Sequence, residues 1–231
     1  MRRPLLRDVP PTLLDPVLAV RALRRADPHL ARVIALAGPC TLAPTQLPPF
    51  RALLRSIVFQ QLSTKAASTI LGRVVALFPG DFPTPEQVLA HPEQALRAAG
   101  LSGNKVRSVK DLAEKALAGI VPERAALAHL PDAEVIAHCT QVRGVGQWTV
   151  EMMLMFHLGR PDVLPVDDLG IQKGAQRVYG LRKLPSAQRL EKLAAPWRPW
   201  RTVGSWYLWR ALELPQEQVR PPRAATSRTR P

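Results

Sequence analysis

From Asp15 onward the sequence announces one helix after another with a capping residue and ends each at Gly or Pro, and it contains no convincing strand. Asp15-Pro16 puts a side-chain acceptor at an N-cap and proline in the first turn, where its missing N–H costs nothing. Leu18, Ala22 and Leu23 and, after a restart at Pro28, Leu30, Val33 and Ile34 carry the apolar face. A helix after Pro48-Pro49 spaces Leu53, Leu54, Ile57 and Val58 three and four apart and runs into Gln60-Gln61. Ser63 caps the next, with Ala66, Ala67, Ile70, Leu71, Val74, Val75 and Phe78 in period. Thr84-Pro85-Glu86-Gln87 reads as a capping box opening a short helix to about His91, and Pro92 restarts another that Gly100 stops. Residues 104–118 form an amphipathic helix with Val106, Val109, Leu112, Ala113 and Ala116 inward and Lys105, Arg107 and Lys110 outward. Further helices are expected over 131–141, 147–158, 168–179, 186–195 and 200–212, so the fold class is all-α.

With 231 residues, 46% of them apolar, the chain can bury one good-sized core or two small lobes. Its formal charge of +14 favours a polyanionic partner, nucleic acid or an anionic membrane surface. No apolar run reaches the roughly 18 to 20 residues of a membrane span, and the N-terminus lacks a signal-like apolar core, so a soluble, unexported protein is expected. Cys40 and Cys139 are too few for an iron–sulfur cluster and are expected to be reduced, buried and inert. The five histidines fall in no metal-binding spacing, which leaves the chemistry to carboxylates or oxygen ligands. Four of the five tryptophans crowd into residues 197–209. The tail from Gln216, rich in Arg and Pro, is expected to be disordered.

Val142-Arg143-Gly144-Val145-Gly146 joins two helices by so short a turn that they must leave it as a hairpin. Gly144 and Gly146 can take positive φ and leave their amides open, and with the dipole of the next helix they make a site for one phosphate. A plain interhelical turn has the same look.

The longer stretch from Arg143 to Lys173 is more specific. RGVGQWTVEMMLMF, a loop with two prolines and VLPVDDLGIQK together resemble the helix-hairpin-helix DNA glycosylase superfamily. SIVFQQLSTKAA at 56–67, GLSGNK at 100–105 and PWRPWRTVGSWYLWRAL at 196–212 are similar to its alkylpurine (3-methyladenine) DNA glycosylase II branch. The likeness spans roughly residues 45–213 and is to a short form without an N-terminal β-rich lobe. It implies an all-α, two-lobed fold with the active-site cleft between the lobes. The glycosylase domain would cover 1–215, with its hairpin at 131–158 and its catalytic loop at 159–170, before a basic tail at 216–231.

The resemblance also implies roles. Asp168 is the catalytic carboxylate, because Ile171 registers three places beyond it; Asp167 is the fallback, and either could simply cap a helix. Trp148 stands where relatives with lyase activity carry a nucleophilic Lys, so a monofunctional hydrolase using water is expected. Trp148 and Trp209 border the base pocket with Met152 and Gln60, Met152 standing where some relatives have an aromatic; Trp200 and Trp206 read better as core. The amides of Gly144, Gly146 and Thr149, with Gln147 and Lys105, contact DNA. The carbonyls of Thr140, Val142 and Val145 hold a monovalent cation, and no other cofactor is required. Gly103 has no side chain to fill the hole left by a flipped base, so either Leu101 or Asn104 substitutes or extrusion depends on the lesion's own weak stacking.

The expected partner is duplex DNA with damaged bases, met by a monomer in cytoplasm or nucleus, away from membranes. The expected reaction is hydrolysis of the N-glycosidic bond of alkylated purines in base-excision repair. The alternative is a non-catalytic helix-hairpin-helix module whose binding falls with salt and ignores lesions.

Overall fold

The structure, a computed structural model, describes residues 13–127 and 129–219. The helices are α1 (Pro16–Ala26), α2 (Pro28–Ala37), α3 (Pro49–Phe59), α4 (Thr64–Val75), α5 (Pro85–Ala90), α6 (Glu93–Ala98), α7 (Gly103–Leu117), α8 (Arg124–Leu127), α9 (Asp132–Cys139), α10 (Gln147–Met153), α11 (Leu169–Tyr179), α12 (Ala187–Ala194), α13 (Arg201–Glu213) and α14 (Gln216–Val219). A π-helical turn, Leu154–Leu158, extends α10, and a 3₁₀ turn, Ala195–Trp197, comes after α12. The described residues contain no strand.

The caps act as their residue types require. Asp15 Oδ1 accepts from the amides of Val17 and Leu18, and Thr84 and Gln87 exchange both bonds of a capping box. No helix of the described residues is long and apolar enough to cross a membrane.

The chain divides into two compact units, one comprising residues up to Leu42 and from Arg160 onward, the other Ala43–Gly159. In the second unit α3 is the central element, burying Ala52, Leu53, Leu54, Ile57 and Val58 against α4, α7 and α10. α5 and α6 pack along α7, whose Val106, Val109, Leu112 and Ala113 are buried. The basic face expected on α7 is only partly present. Arg107 is exposed, but Lys105 Nζ donates to the carbonyls of Val58 (2.7 Å) and Gln60 (2.8 Å), and Lys110 Nζ to those of Leu89 and His91 (both 2.7 Å). Each lysine thus satisfies carbonyls orphaned at a helix C-terminus, of α3 and α5 respectively. Burial lowers the pKa of Lys105.

In the first unit α13 is central and packs on α1, α2 and α11. Asp27 lies at its heart, 6% exposed. Its Oδ1 caps α2 through the amides of His29 and Leu30, and its Oδ2 accepts from Trp197 Nε1 at 2.8 Å and from the Tyr179 hydroxyl. A buried carboxylate with four donors meets the condition under which such burial is tolerated. Burial first, and then Asp27, push the Tyr179 phenol far above its ordinary pKa. The boundary expected at Gln216 moves: α14 continues the order to Val219, which is 1% exposed. The arginines at 220, 223, 228 and 230 lie outside the described residues. Cys139 is buried, its thiol pushed up to about 11 by burial, whereas Cys40 is only half-buried.

Candidate active site

The hairpin is built by α9, the turn at 140–146 and α10. Gly144 alone in the turn takes positive φ, +75°. A Cβ there would also come within 2.9 Å of Ser108 Oγ. Gly146 is the N-cap of α10 with φ −96° and ψ 171°, so the left-handed conformation foreseen for it is not used. Asp111 fixes the turn, its Oδ2 accepting from the Arg143 amide at 2.6 Å and its Oδ1 from Lys115 Nζ at 2.6 Å. Burial raises the pKa of Asp111, but the Arg143 amide and Lys115 outweigh it and hold the carboxyl below its ordinary value.

Among the described residues no acceptor pairs with the amides of Gly144, Gly146 or Gln147. The Thr149 amide, expected to contact phosphate, instead donates to the Gly146 carbonyl at 3.0 Å, because α10 opens with a tight 3₁₀-like turn. The side chain of Gln147 donates to Glu151 Oε1 at 2.9 Å, so its backbone amide is the group left for an anion. Lys105, also expected at the DNA, has two donors on the end of α3 instead.

Beside the hairpin lies a concavity of about 520 Å³ lined by Ser56, Phe59, Gln60, Gln61, Gly144, Trp148, Thr149 and Met152. The structure thus brings together three of the expected pocket residues, Trp148, Met152 and Gln60. Trp148 is 48% exposed, an unusual state for so large an apolar surface. Gln60 reaches the site but donates its Nε2–H to the Gly144 carbonyl at 2.8 Å, tying the end of α3 to the hairpin.

Two residues here escaped sequence reasoning. Phe59 was hidden by its place in the apolar period of α3. Leu62 comes after Gln61, whose φ of +56° marks a turn held in a sparsely populated conformation, and it is 40% exposed. Leu101, considered as a wedge, is 3% exposed and cannot serve, and Asn104 accepts from the Arg107 guanidinium.

Asp168 is the N-cap of α11. Its Oδ1 accepts from the Ile171 amide at 2.8 Å and from Trp209 Nε1 at 2.9 Å. The capping role and an oriented carboxylate therefore coincide in one residue, while Asp167 is exposed. Trp209 approaches Asp168 with its ring nitrogen, which gives it a function besides stacking. Trp206 is nearly buried, edge-on to Tyr207, and Trp200 is half-exposed at the start of α13.

The loop that leads to Asp168 is held along one face of α13. Arg201 donates Nε–H to Asp162 Oδ1 at 2.7 Å and Nη2–H to Asp162 Oδ2 at 2.9 Å. The Thr202 hydroxyl donates to the Arg160 carbonyl at 2.6 Å and accepts from the Val163 amide at 3.0 Å. Eight residues beyond Arg201 on the same helix, Trp209 reaches Asp168, so the entire loop is referred to one rigid element.

The second unit carries a glycine-turned hairpin with unpaired amides and the first a carboxylate oriented by a helix start and an indole, the parts of a helix-hairpin-helix fold with a positioned acid. The chain belongs to the HhH-GPD superfamily of base excision DNA repair proteins, whose model matches residues 54–199. It is 35% identical over 205 residues to DNA-3-methyladenine glycosylase 1 of Schizosaccharomyces pombe, covering 84% of this chain and 90% of that one. The solved structure of the S. pombe 3-methyladenine DNA glycosylase Mag1 in complex with abasic DNA matches with a TM-score of 0.75 at 35% identity, over 86% of this chain and 98% of the other. A DNA-3-methyladenine glycosidase from Bacillus halodurans matches with a TM-score of 0.76 at 40% identity, over 84% and 88%.

Proposed function

We propose that this protein is a monofunctional DNA glycosylase that hydrolyses the N-glycosidic bond of alkylated purines, of the 3-methyladenine and 7-methylguanine type, in duplex DNA. The observation that carries this is the Asp168 carboxylate, fixed through Oδ1 by the Ile171 amide and the Trp209 indole. A purine alkylated at N3 or N7 is positively charged and leaves readily, so the protein has to stabilise an oxocarbenium-like sugar and direct water at C1′. One oriented carboxylate is suited to both tasks.

The concavity supports the monofunctional reading, since its lining includes no lysine and Trp148 cannot form a Schiff base. The exposed indole also offers an electron-rich face to a cationic base, an attraction of roughly 0.5–2 kcal/mol. The unpaired amides of Gly144, Gly146 and Gln147 suit one DNA phosphate. A monovalent cation held by the carbonyls of Thr140, Val142 and Val145 belongs to the same reading. These are neutral oxygen donors, and the Val142 carbonyl, which accepts from the Val145 amide at 3.0 Å, keeps a second lone pair. The protein would act as a monomer on damaged duplex.

Leu62 takes the part of the wedge in this reading, since it is exposed, apolar and adjacent to Gln60 and Gln61 of the concavity. Leu62→Ala is expected to slow single-turnover release from fully paired duplex by about tenfold, because extrusion costs a few kcal/mol that the side chain no longer offsets. Release of the same lesion from single-stranded DNA should change little; equal losses on both would remove Leu62 from the role.

The reaction itself is tested by incubating the protein with methylated duplex, separating released bases by chromatography and examining the strand for nicks. Free alkylpurines, with nicks appearing only after hot alkali, are the expected result. Nicking without alkali would contradict the monofunctional assignment, and binding without release would point to a non-catalytic module.

A further inference from the structure

Phe59 closes α3 and lines the same concavity as Trp148. Four residues earlier on that helix, Arg55 lays its guanidinium over the Phe59 ring, with Cζ 4.0 Å from the ring centroid. One face of the ring is therefore covered by a permanent cation, and a group stacking on Phe59 meets the other face. Among the described residues Arg55 takes part in no ion pair. The nearby His157 imidazole offers no compensation, its pKa lowered by burial and then by Arg55 itself. The charge behind Phe59 is thus not cancelled locally.

We propose that Arg55, acting through Phe59, is a specificity-determining residue that makes the concavity discriminate damaged purines by their charge. This rests on the reading of the concavity as the surface that receives the base. A base stacked on the open face, about 3.5 Å from the ring, would lie roughly 7.5 Å from the guanidinium.

When the C1′–N9 bond breaks, its electron pair stays with the purine, and the sugar cation is captured by water, which loses a proton to solvent. The charge on the base therefore falls by one unit whatever it was at the start. An N7-methylated purine is positive when bound and neutral when it leaves, so Arg55 opposes its binding and ceases to oppose it as the bond breaks. Hypoxanthine is neutral when bound and acquires negative charge at departure, so Arg55 leaves its binding alone and favours its transition state. Rate is assisted in both cases, but only the cationic base is penalised in affinity. At this separation an effective dielectric constant near 20 would give roughly fortyfold for a full unit charge, and solvent screening of the half-exposed guanidinium brings the effect to the order of tenfold.

The test uses duplexes carrying one 7-methylguanine or one hypoxanthine, with affinities read in an Asp168→Asn background so that no base is lost. Arg55→Met should bind the 7-methylguanine duplex about tenfold more tightly and, with Asp168 intact, release that base about tenfold more slowly at saturating enzyme. Its affinity for the hypoxanthine duplex should be unchanged. Arg55→Lys, which keeps the charge, should restore the wild-type pattern and serves if the methionine variant is unstable. Affinities that shift together for both lesions, as loss of mere support for Phe59 would cause, overturn the proposal. If Trp148→Ala and Phe59→Ala leave both affinities at the wild-type value, it is the base-receiving reading that fails, independently of Arg55.

Discussion

Asp168→Asn is expected to lower single-turnover base release at least about a hundredfold while leaving affinity for duplex DNA within about twofold. A positioned carboxylate contributes on this scale to a reaction whose transition state is cationic. The substitution isolates charge from structure. Asparagine is as good an N-cap as aspartate, so its side-chain oxygen can still accept from the Ile171 amide, and from Trp209 Nε1 as well. The start of α11 should therefore survive, and thermal denaturation should show a Tm within a few degrees of wild type. The unpaired hairpin amides are 21 or more residues away in sequence and are not altered. Release that persists at the wild-type rate in a folded variant would take Asp168 out of the chemistry and return attention to Asp167.

Gly174→Ala should cost about 2 kcal/mol of stability, net of its helix propensity. Where α11 meets α13, a Cβ on Gly174 would sit 2.3 Å from the Leu208 carbonyl oxygen and 2.8 Å from its carbon. Overpacking usually costs roughly 1–3 kcal/mol, and an obstacle made of backbone cannot rotate away, which places this site at the upper end. Alanine's better helix propensity returns up to about 1 kcal/mol and does not reverse the sign. For a chain of this size the net loss corresponds to a fall in Tm of roughly 4 to 8 °C. Trp209 is the residue after Leu208, so moving α13 off α11 also lengthens the bond from Trp209 Nε1 to Asp168. Base release measured well below the new Tm should accordingly fall by at least about tenfold. A variant with unchanged or raised Tm would show that the two helices can separate without strain.

These two expectations differ in how far the sequence foretold them. Asp168 was legible because capping is local: the acceptor and the Ile171 amide lie three residues apart, and an Asp before an amphipathic run makes that bond wherever the helix goes. The helix succession, the capping box at Thr84 and the hairpin around Gly144 were legible for the same reason. Their determinants act over one or two turns. Gly174 carried no such signal, since a glycine inside a helix reads only as a weak helix former until the neighbouring helix is in place.

The errors share one origin. Lys105 looked like a basic residue on an exposed face because helical periodicity says which side of α7 is apolar, not what lies across from its edge. Its acceptors, Val58 and Gln60, are 47 and 45 residues away. Leu101 was a plausible wedge until packing buried it, and Leu62 was inconspicuous until the turn at Gln61 put it outside. Trp209 was placed at the border of the base pocket by resemblance, and that its ring nitrogen also meets Asp168, across 41 residues of chain, was not legible.

By itself the sequence determined the all-helical class, the hairpin and the place of the Asp168 carboxylate at a helix start, since caps, periodicity and glycine turns are short-range properties of the chain. Only the tertiary structure decided which donors were already consumed, which apolar side chains stayed outside and what held the acid in place. Those outcomes depend on groups brought together from distant parts of the chain, where a hydrogen bond or a close contact exists only once both partners have been packed.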